Sequence, residues 1–256
     1  MKKRFQGKVV IVTGASSGIG KVSALAFAKE GAKVVVAARR VEQGTQVVAE
    51  ITAAGGEAFF VQTDVSNKQD ILNLVSMTMK KYGRLDCAFN NAGISGDVLI
   101  PTADHTEENW DQVMKVNLKG VWLCMKYQIP EMLKQGRGAI VNNSSVYGLT
   151  GSTVGHVPYV VSKHGVIGLT KTAAFEYAKQ GIRVNAVCPG YTHSEMVDPA
   201  IDAFPGEFEK MLATDIPMGR IAETEEIAHA VLWLCSDEAS FVTGHALAPD
   251  GGWLAK

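Results

Sequence analysis

The chain has 256 residues and carries 25 Lys+Arg against 26 Asp+Glu, a formal net charge of −1. A balance this close suggests neither a nucleic-acid partner nor a membrane-surface one. No apolar run approaches the ~18 residues of a membrane span, and the basic start Met1-Lys2-Lys3-Arg4 is followed by too short an apolar stretch for a signal peptide.

Taken in chain order, short apolar strands fall near 9–13, 33–38, 57–62, 85–90, 138–144, 183–188 and 245–248. Helical stretches fall between them, near 18–30, 42–54, 67–82, 106–135, 159–180 and 223–236. This alternation predicts an α/β fold: a single doubly wound domain over 1–256, with a seven-stranded parallel sheet and helices on both faces. Right-handed crossovers then put ligands at the carboxyl ends of the strands. Tyr191 to Ala222, with Pro199, Pro205 and Pro217, breaks the alternation and is too long for an ordinary connection. It is expected to be a substrate lid, with a short helix in the apolar and acidic piece Phe204–Ala213. Cys87, Cys124, Cys188 and Cys235 show neither zinc spacing nor a secreted disulfide pattern. They are expected to be buried thiols in a reducing cytoplasm, with no metal site.

The first strand, Val9-Val10-Ile11-Val12, runs into Thr13-Gly14-Ala15-Ser16-Ser17-Gly18-Ile19-Gly20, and a helix with an apolar stripe (Ala24, Leu25, Phe27, Ala28) follows. Strand, glycine turn and helix form the context of a dinucleotide site. The glycines allow a tight turn and close approach of a pyrophosphate, and the helix start offers unpaired N–H groups. Asn90-Asn91-Ala92-Gly93 closes a further strand, where asparagine side chains can tie the strand end to its neighbour and Ala92 and Gly93 keep the backbone thin. The strand Ala139–Asn143 ends in two hydroxyls, Ser144 and Ser145.

Tyr159 and Lys163 stand four apart in YVVSK, so on a helix they share a face with Cβ atoms ~5–6 Å apart. An ammonium ~4 Å from a phenol, under an effective dielectric of ~20, favours the phenolate by about 4 kcal/mol, or roughly 3 pH units. The pair is therefore expected to bring the phenol into the range of acid/base catalysis.

TGASSGIG, NNAG, the strand-end serine and YxxSK, in this order, resemble the short-chain dehydrogenase/reductase family from about Gly7 to about Gly252. The resemblance implies a Rossmann fold and hydride exchange between a nicotinamide dinucleotide and a small-molecule carbonyl or secondary alcohol. It implies that Ser145 donates to the substrate oxygen, Tyr159 is the acid/base, Lys163 lowers the phenol pKa and binds ribose hydroxyls, and Asn117 holds a water. It assigns the dinucleotide to Gly14, Ser16, Ser17, Gly18, Ile19, Gly20, Asp64, Val65, Asn91, Ala92, Gly93, Tyr159, Lys163, Pro189 and Gly190. It adds the backbone of Thr192 at the carboxamide, and Ser194 where the family usually has threonine. At the end of the second strand, Ala38 stands where an NAD enzyme carries an acid, and Arg39 and Arg40 follow. A guanidinium suits a 2′-phosphate, so NADP is expected over NAD, although Ser16 and Ser17 leave the glycine turn without a basic residue.

Ser145 and Tyr159 enclose 13 residues, one more than the family's usual spacing, so the loop Val146–Pro158 carries an extra residue. Ser95–Leu99, Leu149–His156 and the lid are expected to form the substrate pocket. His156 and His193 lie on these loops, and both read more naturally as polar surface than as contacts. No ionic clamp is evident, which favours a neutral ketone, alcohol or sugar. The family pairs the helices near 106–135 and 159–180, so a homotetramer or a homodimer is implied. Epimerisation, dehydration or dehalogenation on the same scaffold, or a silent dinucleotide sensor, are the alternatives.

Overall fold

Val9–Thr13 is apolar on both sides of its pleat, and both sides are buried: Val10 and Val12 face one core, Val9 and Ile11 the other. Such a strand belongs inside a parallel sheet covered on both faces. The computed structural model describes residues 3–152, 154–203 and 205–255. Among them, β1 (Val9–Thr13), β2 (Lys33–Ala38), β3 (Glu57–Gln62), β4 (Cys87–Asn90), β5 (Gly138–Asn143), β6 (Ile182–Val187) and β7 (Ala246–Leu247) form one parallel sheet. Its order is β3-β2-β1-β4-β5-β6-β7. The order reverses between β1 and β4, which opens a crevice at their carboxyl ends.

The helices are α1 (Gly18–Lys29), α2 (Val41–Ala53), α3 (Lys68–Tyr82), α4 (Glu107–Met114), α5 (Gly120–Lys134), α6 (Val157–Tyr177), α7 (Asp198–Ala203), α8 (Pro205–Asp215) and α9 (Thr224–Cys235). On one face Phe27, Val47 and Val231 from α1, α2 and α9 pack on Val10, Val12, Val34 and Val36. On the other, Leu74, Met125 and Val166 from α3, α5 and α6 pack on Val9, Ile11 and Val35. All four cysteines are buried free thiols. Among the described residues no helix is long and apolar enough to cross a membrane.

Three departures from the sequence reading bear on the site. The helix expected over 106–135 is interrupted at Lys115–Lys119 by one π-helical turn centred on Asn117. Such turns recur at functional sites. Here the Asn117 side chain is held on the Ile94 backbone, accepting from its N–H (2.9 Å) and donating to its oxygen (2.8 Å). The helix expected from 159 starts at Val157, with Pro158 in its first turn, where a missing N–H costs nothing. The stretch 191–222 holds two short helices, α7 and α8, in place of one; Phe204 lies outside the described residues. The ends of this excursion are stitched together: Ala222 N–H donates to Tyr191 (3.0 Å) and His193 N–H to Ala222 (3.0 Å).

Candidate active site

The carboxyl ends of β1, β4 and β5 are tied by side chains. Thr13 Oγ1 accepts from the backbone N–H of Asn91 (2.9 Å) and Ala92 (3.2 Å), and Asn91 Nδ2 donates to the Thr13 carbonyl at 3.0 Å. Asn143 Nδ2 extends the chain to Asn91 Oδ1 at 2.9 Å. One layer deeper, Asn90 Nδ2 donates to Gln128 (3.1 Å) and Asn142 (3.0 Å), and Asn142 donates to Thr170 (3.0 Å). The amides of Asn90, Gln128 and Asn142 in this deeper layer satisfy one another, and they fix the strand ends on which the site stands.

Above them lies a cavity of about 540 Å³. One half is walled by the turn residues Gly14, Ser16, Ser17, Gly18 and Ile19, by Arg39 and Arg40 after β2, and by Asp64, Val65, Asn91, Ala92 and Gly93. The other half is walled by Ser145, Tyr159, Lys163, Pro189, Gly190, Thr192 and Ser194. Gly20 and Asn117 stand behind this wall. A Cβ on Gly20 would lie 2.3 Å from the Gly14 oxygen, so the turn closes only without a side chain there. Asn117 backs Gly93, whose added Cβ would meet Asn117 Oδ1 at 3.3 Å and Lys163 Nζ at 3.7 Å.

The donor set fits a dinucleotide. A Cβ on Gly14 would lie 2.8 Å from Ala92 Cα, so the turn packs directly on the β4 end while Gly14 lines the cavity. Helix α1 begins with no side-chain cap and no acid in its first turn, which leaves its N–H groups and positive dipole end for an anion. Arg40 supplies the basic group that the glycine turn lacks, donating to Ser16 Oγ (3.2 Å) and Ser17 Oγ (2.7 Å). Burial would raise the Asp64 carboxyl, but hydrogen bonds from Ser66 and the charges of Arg39 and Lys115 hold it below its ordinary value. Asp64 also caps the turn by accepting from Ser66 N–H at 2.8 Å.

In the other half, α6 brings Tyr159 and Lys163 to the end of β5. Gly148 lets the turn after Ser145 seat on α6, since its Cβ would come within 2.8 Å of the Lys163 carbonyl. Ser144 Oγ donates to that same carbonyl at 2.9 Å, and both Ser144 and Ser145 line the cavity. Ser145 Oγ accepts from Tyr147 N–H at 3.2 Å and hydrogen-bonds with Tyr159. Lys163 Nζ donates to the Asn143 carbonyl at 2.8 Å and lies 5.3 Å from the Tyr159 ring centre.

The electrostatics reverse the sequence expectation for the phenol. Burial pushes Tyr159 up to about 12, and its bond with Ser145 pulls back only part of that. Lys163 is brought down to about 8, also by burial. The simple pair argument omitted the cost of removing both groups from water.

The structure corrects the polar-surface reading for His156 and keeps it for His193. His156 is buried, its ring centre 4.8 Å from that of Tyr147 and 5.2 Å from that of Tyr159. Burial and nearby His105 lower it to about 4, so it is neutral at pH 7. His193 instead pairs with Asp198 at 2.9 Å at the surface. Tyr147 hydrogen-bonds Tyr191 (3.1 Å) and packs on Trp253, whose ring stacks on Tyr191 at 5.3 Å. Glu195 and Asn143 line the cavity without any motif to announce them. The extra residue between Ser145 and Tyr159 falls in a loop whose far end is zipped to the opposite wall: Leu99 N–H donates to Val154 (2.9 Å) and Ile100 N–H to Gly155 (3.0 Å).

Residues 14–254 match a family model described as enoyl-(acyl carrier protein) reductase. A 2,5-dichloro-2,5-cyclohexadiene-1,4-diol dehydrogenase of Sphingobium indicum is 45% identical over 252 residues, 98% of each chain. A cyclohexanol dehydrogenase of an Acinetobacter species is 42% identical over 258 residues, covering 100% of this chain and 98% of the relative. The crystal structure of levodione reductase superposes with a TM-score of 0.92 at 36% identity, over 97% of this chain and 98% of that one. Sheet order, site layout and these likenesses agree: the chain belongs to the short-chain dehydrogenase/reductase family, oxidoreductases of carbonyl and alcohol groups.

Proposed function

We propose that this protein interconverts a neutral ring ketone and its secondary alcohol with NADP(H), using Tyr159 as the acid/base. The observation that carries the reading is the convergence of Ser145, Tyr159 and Lys163 on the same cavity as the glycine turn. The bound nicotinamide supplies or accepts the hydride. Ser145 orients the substrate oxygen. Tyr159 donates a proton to that oxygen in reduction and takes it back in oxidation. At pH 7 Lys163 is charged, with a pKa of about 8, and it holds the ribose side of the cofactor and favours the phenolate as the proton leaves. Asn117, fixed on Ile94, orders the proton route behind Lys163.

Two features support NADP. Ala38 brings no carboxylate to repel a 2′-phosphate, and the Arg40 guanidinium lies over Ser16 and Ser17 with Arg39 beside it on the wall. Support for a neutral ring comes from the rings around the phenol, His156, Tyr147, Tyr191 and Trp253, of which the histidine is uncharged. The names of the cyclohexanol and cyclohexadiene-diol relatives point the same way. Stretch 191–222, closed at its base and walling the cavity through Thr192 to Val197, acts as the lid.

The test follows absorbance with NADPH and NADH side by side against cyclohexanone, cyclohexanol and acyclic controls. NADPH turnover of the ring ketone is expected, and Tyr159→Phe should cut kcat by roughly 10²–10⁴ while cofactor still binds. Undiminished turnover in Tyr159→Phe removes the acid/base assignment.

A further inference from the structure

Arg40 joins two parts of the chain that no motif connects. Its Nη2 donates to Ser16 Oγ (3.2 Å), Ser17 Oγ (2.7 Å) and Glu195 Oε2 (2.9 Å). Glu195 lies 155 positions away, directly after Ser194, where the 191–222 excursion crosses the glycine turn. A guanidinium Nη2 has two hydrogens, so three oxygens already share it. The carboxylate is held below its ordinary pKa by the bonds from Arg40 and Ser17 and stays ionised at neutral pH.

We infer that Glu195 is a specificity-determining residue: its carboxylate occupies the guanidinium that a 2′-phosphate would need, and the same ion pair pins the lid across the glycine turn. The inference rests on the assignment of Arg40 to the phosphate of NADP. A phosphate and a carboxylate seek the same charged N–H face. A phosphate arriving at Arg40 meets both a saturated donor and a like charge, so the Glu195 contact must break. An uncharged 2′-hydroxyl meets no such conflict. Glu195 therefore holds down affinity for the phosphorylated cofactor alone, and binding of the phosphate unpins the lid.

Adenosine 2′,5′-bisphosphate and adenosine 5′-monophosphate are suitable probes, titrated calorimetrically into the full chain and into Glu195→Gln. The substitution keeps the side-chain length at a surface position. Because the pair is exposed, a modest effect is expected: the bisphosphate should bind Glu195→Gln about three- to fivefold tighter, with the monophosphate unchanged. Hydrogen exchange without ligand should be faster over 196–203 in Glu195→Gln than in wild type, and faster in wild type with the bisphosphate than with the monophosphate. Equal bisphosphate affinity in the two proteins, or equal exchange, overturns the inference. Wild-type preference for the bisphosphate combined with equal affinities leaves NADP standing and removes only Glu195. A preference that appears only in Glu195→Gln keeps the Glu195 role and refutes NADP as the favoured cofactor.

Discussion

The ammonium of Lys163 donates to the main-chain oxygen of Asn143 at 2.8 Å, and among the described residues no carboxylate pairs with it. A buried charge with a single neutral acceptor burdens the folded state. This cost is kept where the site needs a cation.

Lys163→Met should therefore stabilise the protein while abolishing turnover. Below about 8 the lysine is charged in both folded and unfolded chains, and the folded state bears the full penalty. Between about 8 and 10.5 the unfolded chain binds the proton and the folded chain does not, so wild-type stability rises with pH across that window. The shift corresponds to about 3 kcal/mol, offset by roughly 1–2 kcal/mol for the Asn143 carbonyl left unpaired. A rise in Tm of about 2–6 °C at pH 7, falling with pH and cancelled or reversed by about pH 10, is the expected result of thermal melts. A Tm that falls, with a pH-independent difference, contradicts it.

Neighbouring asparagines should separate stability from binding. Asn90→Ala strips partners from buried Gln128 and Asn142, which should cost roughly 2–4 kcal/mol in urea unfolding. Dinucleotide affinity should stay close to wild type. Asn91→Ala loosens the Thr13–Gly14 corner that faces the cavity, so it should weaken cofactor binding more than tenfold, with less effect on stability. Identical profiles for the two variants would refute the division.

Gly20→Ala places a methyl 2.3 Å from the Gly14 oxygen and 2.6 Å from Asn91 Nδ2. The turn must open, at about 1–3 kcal/mol, and NADPH affinity should fall at least tenfold in a fluorescence titration. Gly151→Ala, whose added carbon meets nothing within 4 Å among the described residues beyond its chain neighbours, serves as the matched control and should leave both quantities unchanged.

The parts of the site carried by one short segment are legible in the sequence. The glycine turn up to Ile19, the Asn91–Gly93 strand end and the Tyr159–Lys163 pair each reside in a few consecutive residues at a strand end or on one helix face, and all line the one cavity. What escapes the sequence is set by packing between distant segments. Arg40 meets Glu195 and Tyr191 stacks on Trp253 only after the sheet is assembled. The π turn at Asn117 depends on the Ile94 backbone. The sign of the Tyr159 shift is missed for the same reason, because spacing reports the distance to a charge and says nothing of how much water the fold removes. Strand edges shift by one or two residues where side chains compete for the ladder, as at Asp86, whose carboxylate takes Val9 N–H at 2.9 Å.

The two main-chain bonds that join Leu99 and Ile100 to Val154 and Gly155 tie the two loops together beside the reacting groups. These bonds use backbone atoms alone, so the side chains of Leu99, Ile100 and Val154 can be exchanged without undoing the seam, whereas Gly155 must stay bare, since an added Cβ would lie 2.6 Å from the Ile100 oxygen. Lengthening or trimming the stretch 149–152, ahead of the seam, would then resize the entrance while β5 and α6 keep Ser145, Tyr159 and Lys163 in register. Evolution, or an engineer, has in that seam a place to retune which molecules enter without rebuilding the chemistry beneath.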